Sequence, residues 1–359
     1  TRLPEALETG LPVFLVTQRH FDRRPLARYA LIMNIAAKIV MSAELFETVG
    51  NPVPDGITAD YLDLPDGKRM RYALLPASGR PLQGTVIILH GRNECIEKYF
   101  ETMQDLSKRG FGAATFDWIG QGGSDRLLND RMRGYITDFD RYVSDLNAFI
   151  ENVVLPDCRG PYYILAHSTG SLIALLASPG LTNRVRRMVL CAPLLGLTDQ
   201  PLGQNQIKLL TGFLTAFGLG SIYMSGGPRP REIMPFEGNK LTTDPVRYRR
   251  NSILFEQHRE LALGGPTARW VHASCVAGEK VQHPDFKARI QVPTLIIAAG
   301  ADRIVSNPTI EKFIIGMRST ALVTIDGAKH ELLQEADSYR EQVWAAFDAF
   351  VPGSGDPML

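Results

Sequence analysis

The chain has 359 residues, room for two domains of about 150 residues or for one large α/β fold. Hydrophobic residues make up 45% and charged residues 21%, ordinary globular usage that excludes a disordered, collagenous or fibrous chain. Lys and Arg number 39 against 38 Asp and Glu, a net charge of +1, so no global field draws in nucleic acid.

Residues 1–40 read as an N-terminal extension in which Arg23 and Arg24 precede an apolar stretch from Tyr29 to Val40. Lys38 interrupts that stretch and no A-x-A cleavage site follows, which disfavours a signal peptide or an amphipathic anchor. The expectation is a dispensable helical extension, or upstream sequence translated ahead of a start at Met41. From Ile57 the pattern settles. Residues 57–64 and 69–75 are short apolar-rich runs joined through Pro65, Asp66 and Gly67, which predicts an antiparallel hairpin.

Buried-looking strands then alternate with helical stretches, at Thr85 to Leu89, Gly112 to Phe116, Tyr162 to Leu165 and Val185 to Cys191. Thr294 to Ala298 and Ala321 to Ile325 resume the pattern, and Tyr339 to Phe350 closes it as an amphipathic helix. Such alternation predicts a mostly parallel sheet with helices on both faces. Between Leu197 and Arg289 it stops, and helical spacing appears at 204–217, 244–260 and 267–277 with breaks at Gly226 to Pro230 and Gly264 to Pro266. That segment is too long for a loop. The expected division is therefore an α/β core from residues 41–196 and 290–359, and a helical cap from residues 197–289.

Four cysteines, Cys95, Cys158, Cys191 and Cys275, lie far apart with no C-x-x-C pair and no His at ligand spacing. This argues against a disulfide framework and a zinc site, and a reducing, cytoplasmic compartment fits best. No apolar run reaches the roughly 18 to 20 residues of a membrane-spanning helix.

The most informative segment runs from Tyr162 through Ala166-His167-Ser168-Thr169-Gly170 to Leu172. It is a buried strand entering a small-residue helix with Ser168 at the turn, the pattern of a nucleophile elbow, although the usual G-x-S-x-G has Ala166 at its first glycine. On this segment alone the alternative is an ordinary N-cap serine, and the nucleophile reading is preferred to it. A serine hydroxyl needs a base and an orienting carboxylate, which follow an elbow in the order acid then histidine. His330 is the single histidine beyond the last strand, and Asp302 follows the strand before it. Asp326 is the second choice for the acid.

Donors for an oxyanion are expected from the backbone N–H of Thr169, which opens the helix, and from that of Arg92, in the turn His90-Gly91-Arg92. The turn Asp117-Trp118-Ile119-Gly120-Gln121-Gly122-Gly123 matches no phosphate-loop pattern. It is expected to brace the elbow, with Asp117 holding backbone amides.

Together, His90-Gly91-Arg92, Gly120-Gln121-Gly122, Ala166 to Gly170, Gly300-Ala301-Asp302 and Lys329-His330-Glu331 resemble, in the same order, the bacterial lysophospholipase and monoacylglycerol lipase family of α/β-hydrolases. Gly264-Gly265-Pro266-Thr267 with Trp270 is similar to that family's cap. The resemblance implies the α/β-hydrolase fold, a Ser168, Asp302 and His330 triad with Arg92 and Thr169 at the oxyanion, and no metal or cofactor. It implies hydrolysis of monoacyl lipid esters through an acyl-enzyme. A short-chain carboxylesterase, an acyltransferase on the same triad and a non-catalytic ligand-binding relative stay open. Ala166, and Thr169 where Met is common, bear on the shape of the acyl pocket.

Within the cap, Phe213 and Phe217 belong to an apolar series from Ile207 to Ile222 that suits either an acyl wall or the cap's own core. Arg229 and Arg231 suit either a phosphate head group or a solvated loop. The expected partner is a small lipid ester, with no nucleic acid and no obligate protein partner. Peripheral contact through the cap with the inner membrane face is compatible with this reading.

Overall fold

The computed structural model describes residues 42–198, 200–229 and 233–351. The N-terminal extension, His20 and Arg231 lie outside the described residues. Eight strands form one sheet: β1 (Thr58–Asp63), β2 (Arg69–Leu75), β3 (Gly84–Leu89), β4 (Phe111–Phe116), β5 (Tyr162–His167), β6 (Val185–Cys191), β7 (Thr294–Ala299) and β8 (Thr320–Ile325). Their order is β1-β2-β4-β3-β5-β6-β7-β8. The first two strands are antiparallel to their neighbours and the rest run parallel.

The predicted hairpin forms through Pro65–Gly67, with Gly67 at φ +77 and the Lys68 carbonyl accepting the Leu64 N–H at 2.8 Å. Strands β3 and β7 are buried at every residue, as continuous apolar runs covered on both faces must be. The main helices are α1 (Phe100–Lys108), α2 (Phe139–Phe149), α3 (Thr169–Leu181), α4 (Gln204–Ala216), α5 (Pro245–Gln257), α6 (Ala268–Gln282), α7 (Asn307–Ile314) and α8 (Asp337–Phe350). This is the α/β-hydrolase fold.

The chain leaves β3 toward β4 on one side and returns to place β5 on the other. At such a reversal the loops beyond the carboxyl ends of the two strands splay apart and open a crevice. Ser168 follows β5 and the 90–94 loop follows β3, so both lie at this point.

Between β6 and β7 the three predicted helices appear as α4, α5 and α6. The last is longer than the spacing predicts, because Ala277 and Val281 stay buried until Pro284 ends the run. Residues 259–261 form a separate turn after His258 and do not extend α5. Salt bridges fasten α5 to the sheet layer: Glu101 of α1 meets Arg247 at 2.6 Å and Arg250 at 2.7 Å. Burial alone would raise the Glu101 carboxyl, but its arginine partners pull it down to about 2. By contrast α4 rests on α6, with Lys208 meeting Glu279 at 2.5 Å, and leaves an apolar face outside.

Candidate active site

Strand β5 delivers Ser168 at a backbone conformation of φ +51 and ψ −112, which non-glycine residues rarely adopt. The strain is held by the surroundings. The Ser168 N–H donates to the Cys191 carbonyl at 2.9 Å, and its own carbonyl accepts from Leu194 at 3.1 Å. A side chain at Gly170 would overlap the Leu89 carbonyl oxygen, so glycine is required there. Ala166 sits in register between Leu89 and Leu190, buried, where its methyl causes no distortion of the pairing.

The His330 Nε2 lies 3.1 Å from Ser168 Oγ, and His330 Nδ1 lies 2.7 Å from Asp302 Oδ2. Residues 162 and 28 positions apart in sequence thus form one hydrogen-bonded line. The other Asp302 oxygen accepts the N–H groups of Ile304 at 2.7 Å and Val305 at 3.0 Å. Burial alone would raise the Asp302 carboxyl, yet His330 and those two amides hold it below its ordinary 3.8. Asp326 stands exposed on the turn after β8, and the hydrogen bond to His330 belongs to Asp302.

Thr169 is the first residue of α3, where backbone N–H groups lack acceptors within the helix and carry its partial positive charge. Arg92 lies in the loop after β3, beside the elbow, since Gly170 packs on the carbonyls of Leu89 and His90. Its side chain turns away from the serine: Nη2 donates to the Gly264 carbonyl at 2.7 Å and the guanidinium lies over the Trp270 ring. The Gly120–Gly122 turn braces this loop and not the elbow. Gln121 Oε1 accepts the Asn93 N–H at 2.9 Å, and Trp118 Nε1 donates to the His90 carbonyl at 2.9 Å. Asp117 does hold backbone amides, those of Ile96 at 3.0 Å and Gly123 at 2.7 Å, and it also meets Arg71.

Spacing did not single out Glu94, Lys98 and Glu331. Glu94 accepts the N–H of Gly91, and Lys98 Nζ bridges Glu94 at 2.9 Å and Glu331 at 2.6 Å. Their signal was the placement of Glu94 and Glu331 directly beside the His90-Gly91-Arg92 turn and His330. The three histidines between β6 and β7 are occupied structurally: His258 stacks on Phe46, His272 bonds the Lys208 carbonyl and His283 caps a short turn.

A cavity of about 290 Å³ lies between the Leu194–Gly203 segment and helices α4 and α6, lined by apolar Leu194, Leu197 and Ile207 and by polar Gln200, Gln204 and Ser274; no triad residue lines it. Phe213 and Phe217 do not line it and are not a cap core. They are 59% and 68% exposed, tilted against one another with ring centroids 4.4 Å apart, because α4 turns its Ile207 side inward and their side outward. Arg229 is exposed in the loop before α5.

A family model described as serine aminopeptidase, S33, matches residues 80–337. The chain belongs to this family of hydrolases. Probable lysophospholipase L2 of Haemophilus influenzae is 30% identical over 282 residues, 78% of this chain and 87% of that protein. Lysophospholipase L2 of Escherichia coli K12 is 34% identical over 266 residues, 71% of this chain and 76% of that protein. The fold of this S33-family hydrolase is shared with a soluble variant of monoglyceride lipase from Saccharomyces cerevisiae, solved with a substrate analog. The TM-score is 0.68 at 20% identity, covering 88% of this chain and 100% of that one.

Proposed function

We propose that this serine hydrolase cleaves monoacyl lipid esters, with Ser168 as nucleophile, His330 as general base and Asp302 as its orienting acid. The Ser168 Oγ to His330 Nε2 approach at 3.1 Å carries the reading. His330 takes the hydroxyl proton as Oγ attacks the ester carbonyl. The N–H groups of Thr169 and Arg92 receive the oxyanion, and His330 returns the proton to the departing alcohol. Water then adds to the acyl-enzyme with His330 again as base, releasing the fatty acid and restoring Ser168. Residues 197–289 serve as the cap.

The relatives named as lysophospholipases support the same substrate class. Purified wild type should release fatty acid from monoacylglycerol and lysophosphatidyl substrates faster than from short p-nitrophenyl esters or an aminoacyl p-nitroanilide. Turnover confined to short esters would make it a general esterase; acyl glycerol formed in place of free acid, with glycerol present, would make it an acyltransferase.

The outward face of α4 and the following turn, with Leu209, Leu210, Phe213, Phe217, Leu219 and Ile222 exposed, is proposed to rest on the lipid surface that holds the substrate. Among the described residues no helix is long and apolar enough to cross a membrane. Changing Phe213 and Phe217 together to Ser should remove about 2–3 kcal/mol of interfacial burial, or about 30- to 150-fold in vesicle binding. Hydrolysis of vesicle-borne lipid should fall accordingly while turnover of a soluble short ester holds. Equal losses on both substrates would place these residues in the substrate path.

A further inference from the structure

His167, next to the nucleophile, is buried and has both ring nitrogens committed. Nδ1 lies 3.3 Å from Glu94 Oε2, and Nε2 lies 3.2 Å from the backbone carbonyl oxygen of His330. A carbonyl oxygen only accepts. Glu94 accepts as well: Oε2 takes the Gly91 N–H and the Tyr99 hydroxyl and Oε1 takes Lys98 Nζ, and the neighbouring positive charges hold its carboxyl well below the usual range, as an acceptor-only carboxylate. A neutral imidazole carries one N–H and would leave its other lone pair against one of these oxygens, a mismatch that is costly away from water.

The surrounding charges lead to the same state. Facing His167 are Glu94 from the loop after β3, Lys98 and Tyr99 from the turn before α1, and His330 and Glu331 from the loop after β8; His90 adjoins Glu94 from the end of β3. Two carboxylates meet one ammonium, all with side chains 6% exposed or less. Among these groups the negative charges outnumber the positive by one, and a positive charge on His167 closes the balance.

We infer that His167 is held as an imidazolium, a positioning residue whose two N–H groups tie the backbone of His330 to the Glu94 carboxylate that anchors the Gly91–Arg92 loop. The inference rests on the hydrolytic reading above. It means that base and oxyanion donors are set by one buried charged link. Burial alone would discharge the ring, but the Glu94 charge and hydrogen bond raise its pKa above the ordinary 6.5. For a raised histidine the stabilisation is complete below 6.5 and is lost as pH climbs through the folded value. Catalysis should therefore decline on the alkaline side as His167 loses its proton.

The test is a kcat–pH profile for wild type and His167→Gln on a soluble ester, together with nitrogen NMR of histidine-labelled wild type at pH 7.5. Gln is neutral across that range and has no second ring donor to serve both oxygens. We expect kcat to drop about 100-fold with KM within about twofold, as for loss of alignment without loss of binding, and the alkaline decline to disappear. The wild-type spectrum should show one histidine, absent in the variant, with both ring nitrogens protonated. A profile of unchanged shape, or no histidine protonated on both nitrogens, overturns the inference. Should His167→Gln not fold, the wild-type spectrum and profile decide. A wild type that hydrolyses no ester refutes the function proposed above and leaves the spectrum to judge this one.

Discussion

Ser168→Ala is expected to lower turnover of monoacyl esters by about 10⁴- to 10⁶-fold, the range for removing the nucleophile of a serine triad. The loss should appear in kcat. KM should change little, because the substitution removes one hydroxyl and leaves in place the backbone that Cys191 and Leu194 hold. Folding should be spared. The Ser168 side chain has one hydrogen bond, to His330 at 3.1 Å, while its strained backbone is held by Cys191 and Leu194. A fluorophosphonate probe should label wild type and not the variant. Labelling or residual turnover near wild type would mean that another residue is the nucleophile.

Asp302→Asn should cost nearly as much, about 10⁴-fold in kcat. The physical reason lies in the two sides of the carboxylate. One oxygen accepts from Ile304 and Val305, and those N–H groups need an acceptor. An asparagine must turn its oxygen to them, which aims its NH₂ at His330 Nδ1. That nitrogen then becomes the acceptor, the ring proton moves to Nε2, and Nε2 can no longer take the serine proton.

Asp326→Ala should change kcat by no more than about twofold, in line with exposed substitutions worth about 0.5 kcal/mol. Comparable losses in the two variants would refute the assignment of the acid. Because the Asp302 carboxyl is depressed, its contribution to stability is complete above 3.8 and is lost as pH falls through the folded value. Acid unfolding should thus begin at higher pH in Asp302→Asn than in wild type, measured by circular dichroism.

Much of this was legible along the chain. Alternating strand and helix patterns place all eight strands within a residue or two, and the Pro65-Asp66-Gly67 turn marks the one hairpin. The elbow is readable because a serine between Ala166 and Gly170 at the end of a buried run has few other uses. His330 and Asp302 follow from chain order, since loops after parallel strands emerge on one edge of the sheet. The helical segment between β6 and β7 shows in its length and spacing, though not where α6 stops, because polar residues such as Glu279 and Lys280 mask two buried positions.

Local pattern determines which residues form strands, which helices, and which loops end on the same edge of the sheet, because those depend on period and neighbours. Sidedness and long-range pairing do not. The apolar spacing of α4 is the same whether Phe213 faces a cavity or solvent, and only packing against α6 turned it outward. The link from Glu94 through Lys98 to Glu331 joins residues 233 positions apart, and His167 looks like a bystander until the β3 and β8 loops close around it. What carries no local signature is charge state. Whether a buried histidine holds one proton or two is decided by the acceptors that the finished fold aims at its ring.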